Sequence, residues 1–403
     1  MRILHTSDWH LGKTLSGYSR AAEHEALCDE LVEIAEDVDL VLVSGDVFDT
    51  YNPPIAAEEM FFDTLSRLGD GGRRAVIVLA GNHDSPDRLT APEALSARHG
   101  VFLFGRPGDV PVTGPVRGAN RIQVTGCGAS WLELGLPCGE RAVVAALAYP
   151  SEARLRDLLA PTTREHDLQR AYDDRIRRIF ADLASHFRAD AVNLATSHLH
   201  MLDAVPSESE RVLVGGAWQV TPQSLPAGAH YVGLGHIHQP QAVEGAPSPT
   251  RYAGAPLAFR MSERDYAHSS VIVEASAGAP ARVHTIPVSA GRPLVVWTVN
   301  GGLPEVLAGV ESGLHAGALI ELRLHLDLPP THSELATLQN LPRDFTRIRT
   351  VLPAQTPLQQ VGGEALSPSE LFRRFVRDQA EVEPEPELVE LFLELTDLAL
   401  AHA

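Results

Sequence analysis

Five short polar clusters, each directly after a run of apolar residues, constrain this chain more than any other feature. They are Asp8-Trp9-His10, Gly45-Asp46-Val47-Phe48-Asp49, Gly81-Asn82-His83-Asp84, Ser197-His198-Leu199-His200 and Gly235-His236-Ile237-His238. The runs before them, Arg2–Thr6, Leu40–Val43, Ala75–Leu79, Val192–Ala195 and Tyr231–Leu234, are short and apolar enough to be buried strands. Helix-like segments separate the first three. Ala22–Glu36 carries Ala22, Ala26, Leu27, Leu31, Ile34 and Ala35 at helical spacing, and Glu58–Leu68 follows the next strand. This alternation implies an α/β sheet with helices on its faces. Ligands of such sheets gather at the carboxyl ends of the strands, where the polar clusters fall.

The clusters offer carboxylates, imidazoles and one amide, a mixed nitrogen and oxygen donor set suited to Mn²⁺, Fe or Zn²⁺. In Asp8-x-His10 and His236-x-His238 the paired side chains share one side of an extended segment, so both can reach one site. Glycines before Asp46, Asn82 and His236 are expected to let the backbone turn sharply there. Cys28, Cys127 and Cys138 show no paired spacing, which argues against a cysteine metal site and fits a reducing compartment.

Further along, strands are expected at Arg121–Thr125, Ala142–Ala148, Arg251–Gly254, Ser270–Glu274 and Arg282–Ile286, with a long helix at about Leu168–Phe187. Near Ser289-Ala290-Gly291-Arg292-Pro293 the texture changes. Strands Leu294–Val299, Ala318–Leu326 and Phe345–Val351 alternate with helices Pro304–Glu311 and Ser333–Leu338. Pro353–Glu364 reads as a linker, and two apolar-striped helices, Pro368–Gln379 and Glu387–Leu400, end the chain. The expected division is therefore 1–288, 289–353 and 354–403. With no apolar run of membrane-spanning length and no signal-peptide pattern after Met1, a cytoplasmic location is expected.

The order DxH, GDxxD, GNHD, H, GHxH is similar to that of the calcineurin-like metallophosphoesterase superfamily, over roughly the first 240 residues. The resemblance implies a β-sandwich of two sheets flanked by helices, in place of an open sheet. It implies two divalent metal ions, Mn²⁺ by the same resemblance. Asp8, His10, Asp46 and His238 would hold the first; Asp46, Asn82, His198 and His236 would hold the second. Asp46 would bridge them, and a bridging water of lowered pKa would be the nucleophile. His83 would face the scissile phosphate, stabilising charge or protonating the leaving oxygen. Asp84 would orient His83 by hydrogen bonding, and Asp49 would support the site or orient substrate. His200 is expected not to be a ligand.

Three stretches resemble the SbcD-type nucleases within that superfamily: His5 to Lys13, Asp46 to Thr50 with Pro53-Pro54, and Gly235 to Gln241 followed by Tyr252-Ala253-Gly254-Ala255-Pro256. These nucleases more often carry serine where Ala255 stands. The resemblance implies a DNA nuclease that acts as a double-strand exonuclease and a single-strand endonuclease and opens hairpins. It also implies a small capping domain that binds DNA, a homodimer, and an SbcC-type ATPase partner with a long coiled coil. The tail helices are candidates to dock on that coil, or else pack on their own domain. Lys13, Arg20, Arg88 and Arg260 are candidate phosphate contacts. A net charge of −19 opposes strong DNA binding by the chain alone; metals, a partner, or acidity placed far from the site, as at Glu381, Glu383, Glu385 and Glu387, would reconcile the two. A phosphatase or phosphodiesterase of small substrates is the alternative activity.

Overall fold

A computed structural model describes residues 1–155, 165–207 and 219–352, with Ser369, Phe372, Arg373, Pro384, Glu385, Leu388, Val389 and Phe392 of the tail. Two β-sheets face each other. The first has six strands in the order Arg282–Pro287, Ser269–Glu274, Arg2–Thr6, Leu40–Val43, Ala75–Leu79 and Val101–Phe104. From Arg2–Thr6 onward its neighbours are parallel; the other two strands join antiparallel. The second has seven, in the order Gln241–Ala242, Thr250–Tyr252, Tyr231–Gly235, Val192–His198, Arg141–Leu147, Trp131–Gly135 and Gln123–Gly128.

Burial explains the strand sequences. Ile3, Leu42 and Ile77 of the first sheet meet Leu134, Val144 and Leu194 of the second. On the opposite face, Leu4, Val41, Val43 and Val78 pack against Leu27 and Leu31 of helix Ala21–Ile34 and against Phe61, Leu65 and Leu68 of helix Ile55–Gly69. Strands covered on both faces need unbroken apolar runs, and Leu40–Val43 and Ala75–Leu79 supply them. The outer face of the second sheet is covered by Tyr172, Ile176 and Phe180 of helix Glu165–Ala184, spaced to lie on one stripe. The result is the expected helix-flanked β-sandwich. Strands Val101–Phe104 and Trp131–Gly135 were not expected from the sequence.

His5 lies between the sheets, fully buried, with Nδ1 2.9 Å from the Tyr231 hydroxyl. Burial lowers its pKa from 6.5 to about 3. The unfolded chain therefore takes the proton first, and stability falls as pH drops from about 6.5 towards 3. Urea unfolding at pH 7 and pH 4.5 should show wild type losing roughly 2–3 kcal/mol more than His5→Asn. Equal losses would remove His5 from the acid response.

Residues 294–351 form three parallel strands, Leu294–Val299, Leu319–His325 and Phe345–Val351, connected by helices Gly302–Glu311 and His332–Gln339. Trp297, Val306, Leu322 and Leu338 make a separate small core. A capping box between Thr331 and Glu334 starts the second helix. Leu294 and Leu319 join Leu15 and Ala258 in a cluster of their own, and residues 1–326 and 330–351 form one compact unit. The expected linker and tail helices lie outside the described residues apart from the eight positions named above; there the Phe372 and Phe392 rings stack with centroids 4.2 Å apart. Among the described residues no helix is long and apolar enough to cross a membrane.

Candidate metal centre

All five polar clusters converge. Asp8, His10 and His238 bring one ligand atom each within 4.8 Å of one another, and so do Asp46, His198 and His236. Asp46 also links the two groups, its Oδ2 lying 3.4 Å from His198 Nε2 and 3.9 Å from His10 Nε2. Asn82 Oδ1 lies 2.9 Å from both His198 Nε2 and His236 Nδ1. His200 is in neither group; its ring is 5.5 Å from that of His236.

Backbone strain aims these side chains. Asp8, His10, Asp46 and His236 all have positive φ, at 54°, 45°, 48° and 101°. Non-glycine residues held there cost on the order of 1–3 kcal/mol each and persist only where their surroundings fix them. The first two loops are laced together by Asp8 N–H to Gly45 O, His10 N–H to Asp46 O and Leu11 N–H to Val47 O, at 3.0, 3.1 and 2.8 Å. The His236 N–H donates to the Asp8 carboxylate at 3.0 Å, which ties the first sheet to the second.

The three glycines differ in purpose. Gly45 has a φ of 92° and turns the chain as expected. Gly81 and Gly235 are needed for close approach instead: a Cβ on Gly81 would collide with Asp46, and one on Gly235 with the Ser44 carbonyl. Gly235→Ala should therefore cost about 1–3 kcal/mol or more. Gly135→Ala, on the same sheet with nothing within 4 Å of the added carbon, should be near neutral. Thermal midpoints of the two variants check this, and equal midpoints would refute it.

The donor set fits cations. His10 Nε2 and His238 Nε2 face each other 3.1 Å apart in a buried site. Two nitrogens each ~2.1 Å from one ion, at about a right angle, would be about that far apart. The Asp46 and Asn82 oxygens likewise crowd His198 Nε2, whose Nδ1 is already 2.9 Å from the Ser44 carbonyl. Burial lowers His10 to about 3 and His236 well below its usual value, so both imidazoles are neutral with a free lone pair. Burial also lowers His198, but the Asp46 carboxylate outweighs it and raises the imidazole to about 9. Asp46 is held well below the carboxylate range: burial opposes this, and His198, His83 and His10 overcome it. Burial raises Asp8 to about 6.

The other expected site residues divide. His83 Nε2 is 4.0 Å from Asp46 Oδ2, and its Nδ1 is 2.6 Å from the Asp49 backbone carbonyl. That carbonyl, and not Asp84, holds the ring. Asp84 accepts from the N–H groups of Val47, Phe48 and Gly81 at 3.1, 2.9 and 2.8 Å, so it pins two loops together. Asp49 accepts from Lys13 Nζ at 2.6 Å and lies 3.6 Å from His10 Nδ1. Arg20 corrects an expectation: it is 2% exposed and bonded bidentately to Glu23, so it has no face for a phosphate. Arg88 is on the surface, 3.0 Å from Glu58. Arg260 lines a cleft with Lys13, Arg264, Arg323, Arg347 and Arg349.

Three contributors carried no signal in the sequence. Arg154 donates to the carbonyls of Gly81 and Asp84, 2.7 Å each, holding both ends of the His83 loop. Tyr149 packs edge-on against His198 and stacks near His236. Glu263 lies 3.1 Å from His238 Nδ1. Arg154 and Glu263 stand among other charged residues and read as solvated surface.

Comparison with known proteins agrees with this geometry. The calcineurin-like phosphoesterase family matches residues 1–141, a fold that implies divalent metal ions. The chain is 40% identical over 400 residues to the SbcD subunit of the SbcCD nuclease of Bacillus subtilis (strain 168), covering 98% of this chain and 97% of that one. It is 34% identical to the SbcD protein of Rhodobacter capsulatus, over 90% and 91% of the two chains. It is 31% identical to that of Escherichia coli (strain K12), over 89% and 84%. A site built of two imidazole and carboxylate clusters on a helix-flanked β-sandwich, and likeness along nearly its whole length, make this chain a member of the SbcD nuclease family of calcineurin-like phosphoesterases.

Proposed function

We propose that the chain is a metal-dependent DNA nuclease that hydrolyses phosphodiesters in a complex with an SbcC-type ATPase. The observation that carries the DNA reading is the cleft. In a chain of net charge −19, Lys13, Arg260, Arg264, Arg323, Arg347 and Arg349 line one concavity, with Glu321 as its acidic member. Glu321 pairs with Arg323 at 2.9 Å and lies 3.7 Å from Arg349. The cleft borders the metal centre: Phe259 lines it and packs 5.1 Å from the His10 ring. Basic side chains in a groove beside a phosphoesterase site suit a polyanion better than a small ester.

In this reading Asp8, His10, Asp46 and His238 would hold one ion and Asp46, Asn82, His198 and His236 would hold the other. Mn²⁺ is the proposed metal, on family resemblance and a mixed donor set. When bound, two such ions lower the pKa of water and neutralise charge on the phosphoryl oxygens. The chain's own residues do the rest. His83, its Nδ1 against the Asp49 carbonyl, presents Nε2 to the reacting phosphate to stabilise charge or to give a proton to the leaving oxygen. Lys13 holds the Asp49 side chain beside His10. Residues 289–353 act as the capping domain over a nuclease domain of residues 1–288. The tail, residues 354–403, is assigned to the ATPase coiled coil, and a homodimer working on nucleoid DNA in the cytoplasm is the proposed assembly.

The test is a cleavage assay. Hairpin-ended duplex and single-stranded DNA would be incubated with pure protein in Mn²⁺, Mg²⁺ or EDTA, beside a chromogenic small phosphodiester. Mn²⁺-dependent cutting of DNA is expected. Hydrolysis of the small ester alone, even with the ATPase and ATP present, would move the assignment to a small-substrate phosphodiesterase. For the cleft, Arg347→Ala combined with Arg349→Ala should weaken DNA binding roughly tenfold. It should also flatten the slope of log affinity against log salt by about 2. An unchanged salt slope would take those arginines out of the DNA path.

A further inference from the structure

The first metal site is bordered by a turn that also borders the basic cleft, and one buried carboxylate organises both. Phe259 packs edge-on against His10 and His238, with ring centroids 5.1 and 5.7 Å away. Lys13 Nζ lies 5.6 Å from the Phe259 ring centroid, and the Arg20 guanidinium 5.9 Å. Four residues on, Glu263 is 0% exposed. Its carboxylate accepts from the Phe259 N–H at 2.6 Å and from the Ser207 hydroxyl at 2.8 Å, and lies 3.1 Å from His238 Nδ1. The residues between, Arg260, Met261 and Ser262, line the cleft, as does Arg264 just after.

We infer that Glu263 is a positioning residue for the first metal site: by accepting a hydrogen bond from the His238 Nδ1–H it fixes the tautomer that leaves Nε2 free to bind metal. The inference rests on the two-metal reading above. Glu263 Oε2 takes the Phe259 N–H, while Oε1 takes the Ser207 hydroxyl and faces His238 Nδ1; an ionised carboxylate only accepts, so the imidazole donates. That places the His238 proton on Nδ1 and the lone pair on Nε2, the atom that faces His10 Nε2. Ser44 O does the same for His198 in the other group, through a backbone carbonyl. Such partners hold ring orientation and raise ligand basicity, and their loss typically weakens metal binding about 10–100-fold. Here the partner also closes the Phe259–Glu263 turn, so the cleft arginines and the ligand imidazole share one support.

The experiment is Mn²⁺ titration of the full chain, followed by calorimetry and by the electron paramagnetic resonance of free Mn²⁺, for wild type, Glu263→Gln, Glu263→Ala and Asn82→Ala. Wild type should bind two ions; failure to do so would reject the two-metal reading itself. Given two, Glu263→Ala should weaken one ion towards the hundredfold end of that range and leave the other unchanged. Asn82→Ala should weaken the other. Glu263→Gln keeps an acceptor for the imidazole and loses the charge, so it should lose less, about tenfold. Circular dichroism reports whether each variant folds, and if Glu263→Ala does not, Glu263→Gln decides alone. Unchanged affinity at both ions, or equal loss at both, overturns the assignment, since the first means no role and the second a merely structural one.

Discussion

Asp46→Ala should remove essentially all hydrolysis, lowering kcat by about 10³-fold or more, while His83→Gln should lower it by roughly 10²–10⁴ and leave metal binding intact. The contrast between the two variants is the informative part. Asp46 Oδ2 lies within reach of His198, His10 and His83, and its Oδ1 accepts the His83 backbone N–H at 2.8 Å. Its loss should strip a ligand from both ions and free the loop that carries His83. His83 is absent from the groups built on Asp8 and on Asp46 and shares a third with His10 and Asp49; its ring is kept by a backbone carbonyl. Calorimetric Mn²⁺ stoichiometry, measured beside turnover, should fall for Asp46→Ala and stay at the wild-type value for His83→Gln. Near-wild-type turnover by His83→Gln would eliminate it as the acid or charge stabiliser. Full metal loading of Asp46→Ala would eliminate the bridging role.

Chemistry and scaffold were unequally legible in the sequence. The strands Leu40–Val43 and Ala75–Leu79 were readable because residues buried on both faces leave an unbroken apolar run. The candidate ligands were readable because each polar cluster follows directly on such a run. Strand Gln123–Gly128 was harder: it is an edge strand rich in glycine and polar residues, and it was expected two residues early. What the sequence concealed is everything that depends on a partner far along the chain. Asp84 looked like a partner for the adjacent His83, yet its three hydrogen bonds go to backbone on two loops. Glu263, in the charged run Ser262-Glu263-Arg264-Asp265, gave no sign of being fully buried beside His238. Gly235 looked like a turn residue, and only the neighbouring Ser44 carbonyl shows that it is a space requirement. Local pattern reports burial and periodicity; it does not report which buried groups meet.

Arg20 shows how large that blind spot can be in energy. An exposed phosphate contact could be deleted at a cost within about 0.5 kcal/mol of stability. The structure instead buries Arg20 and Glu23 together, with side chains 1% and 6% exposed and two bonds of 2.9 and 2.6 Å. Arg20 also donates to the Ala258 carbonyl, and Glu23 accepts the Arg292 N–H at 2.9 Å, just ahead of strand Leu294–Val299. Removing the guanidinium leaves a carboxylate buried without its main partner, so Arg20→Met should cost about 3–5 kcal/mol. Arg20→Met with Glu23→Leu removes both charges and should recover part of that loss. It should not recover all of it, because the Arg292 N–H then loses its acceptor. Urea unfolding of wild type, both single variants and the double variant forms a complete cycle. A coupling energy near zero, or a cost below about 1 kcal/mol for Arg20→Met, would mean that the pair is solvated and that Arg20 is available to substrate after all.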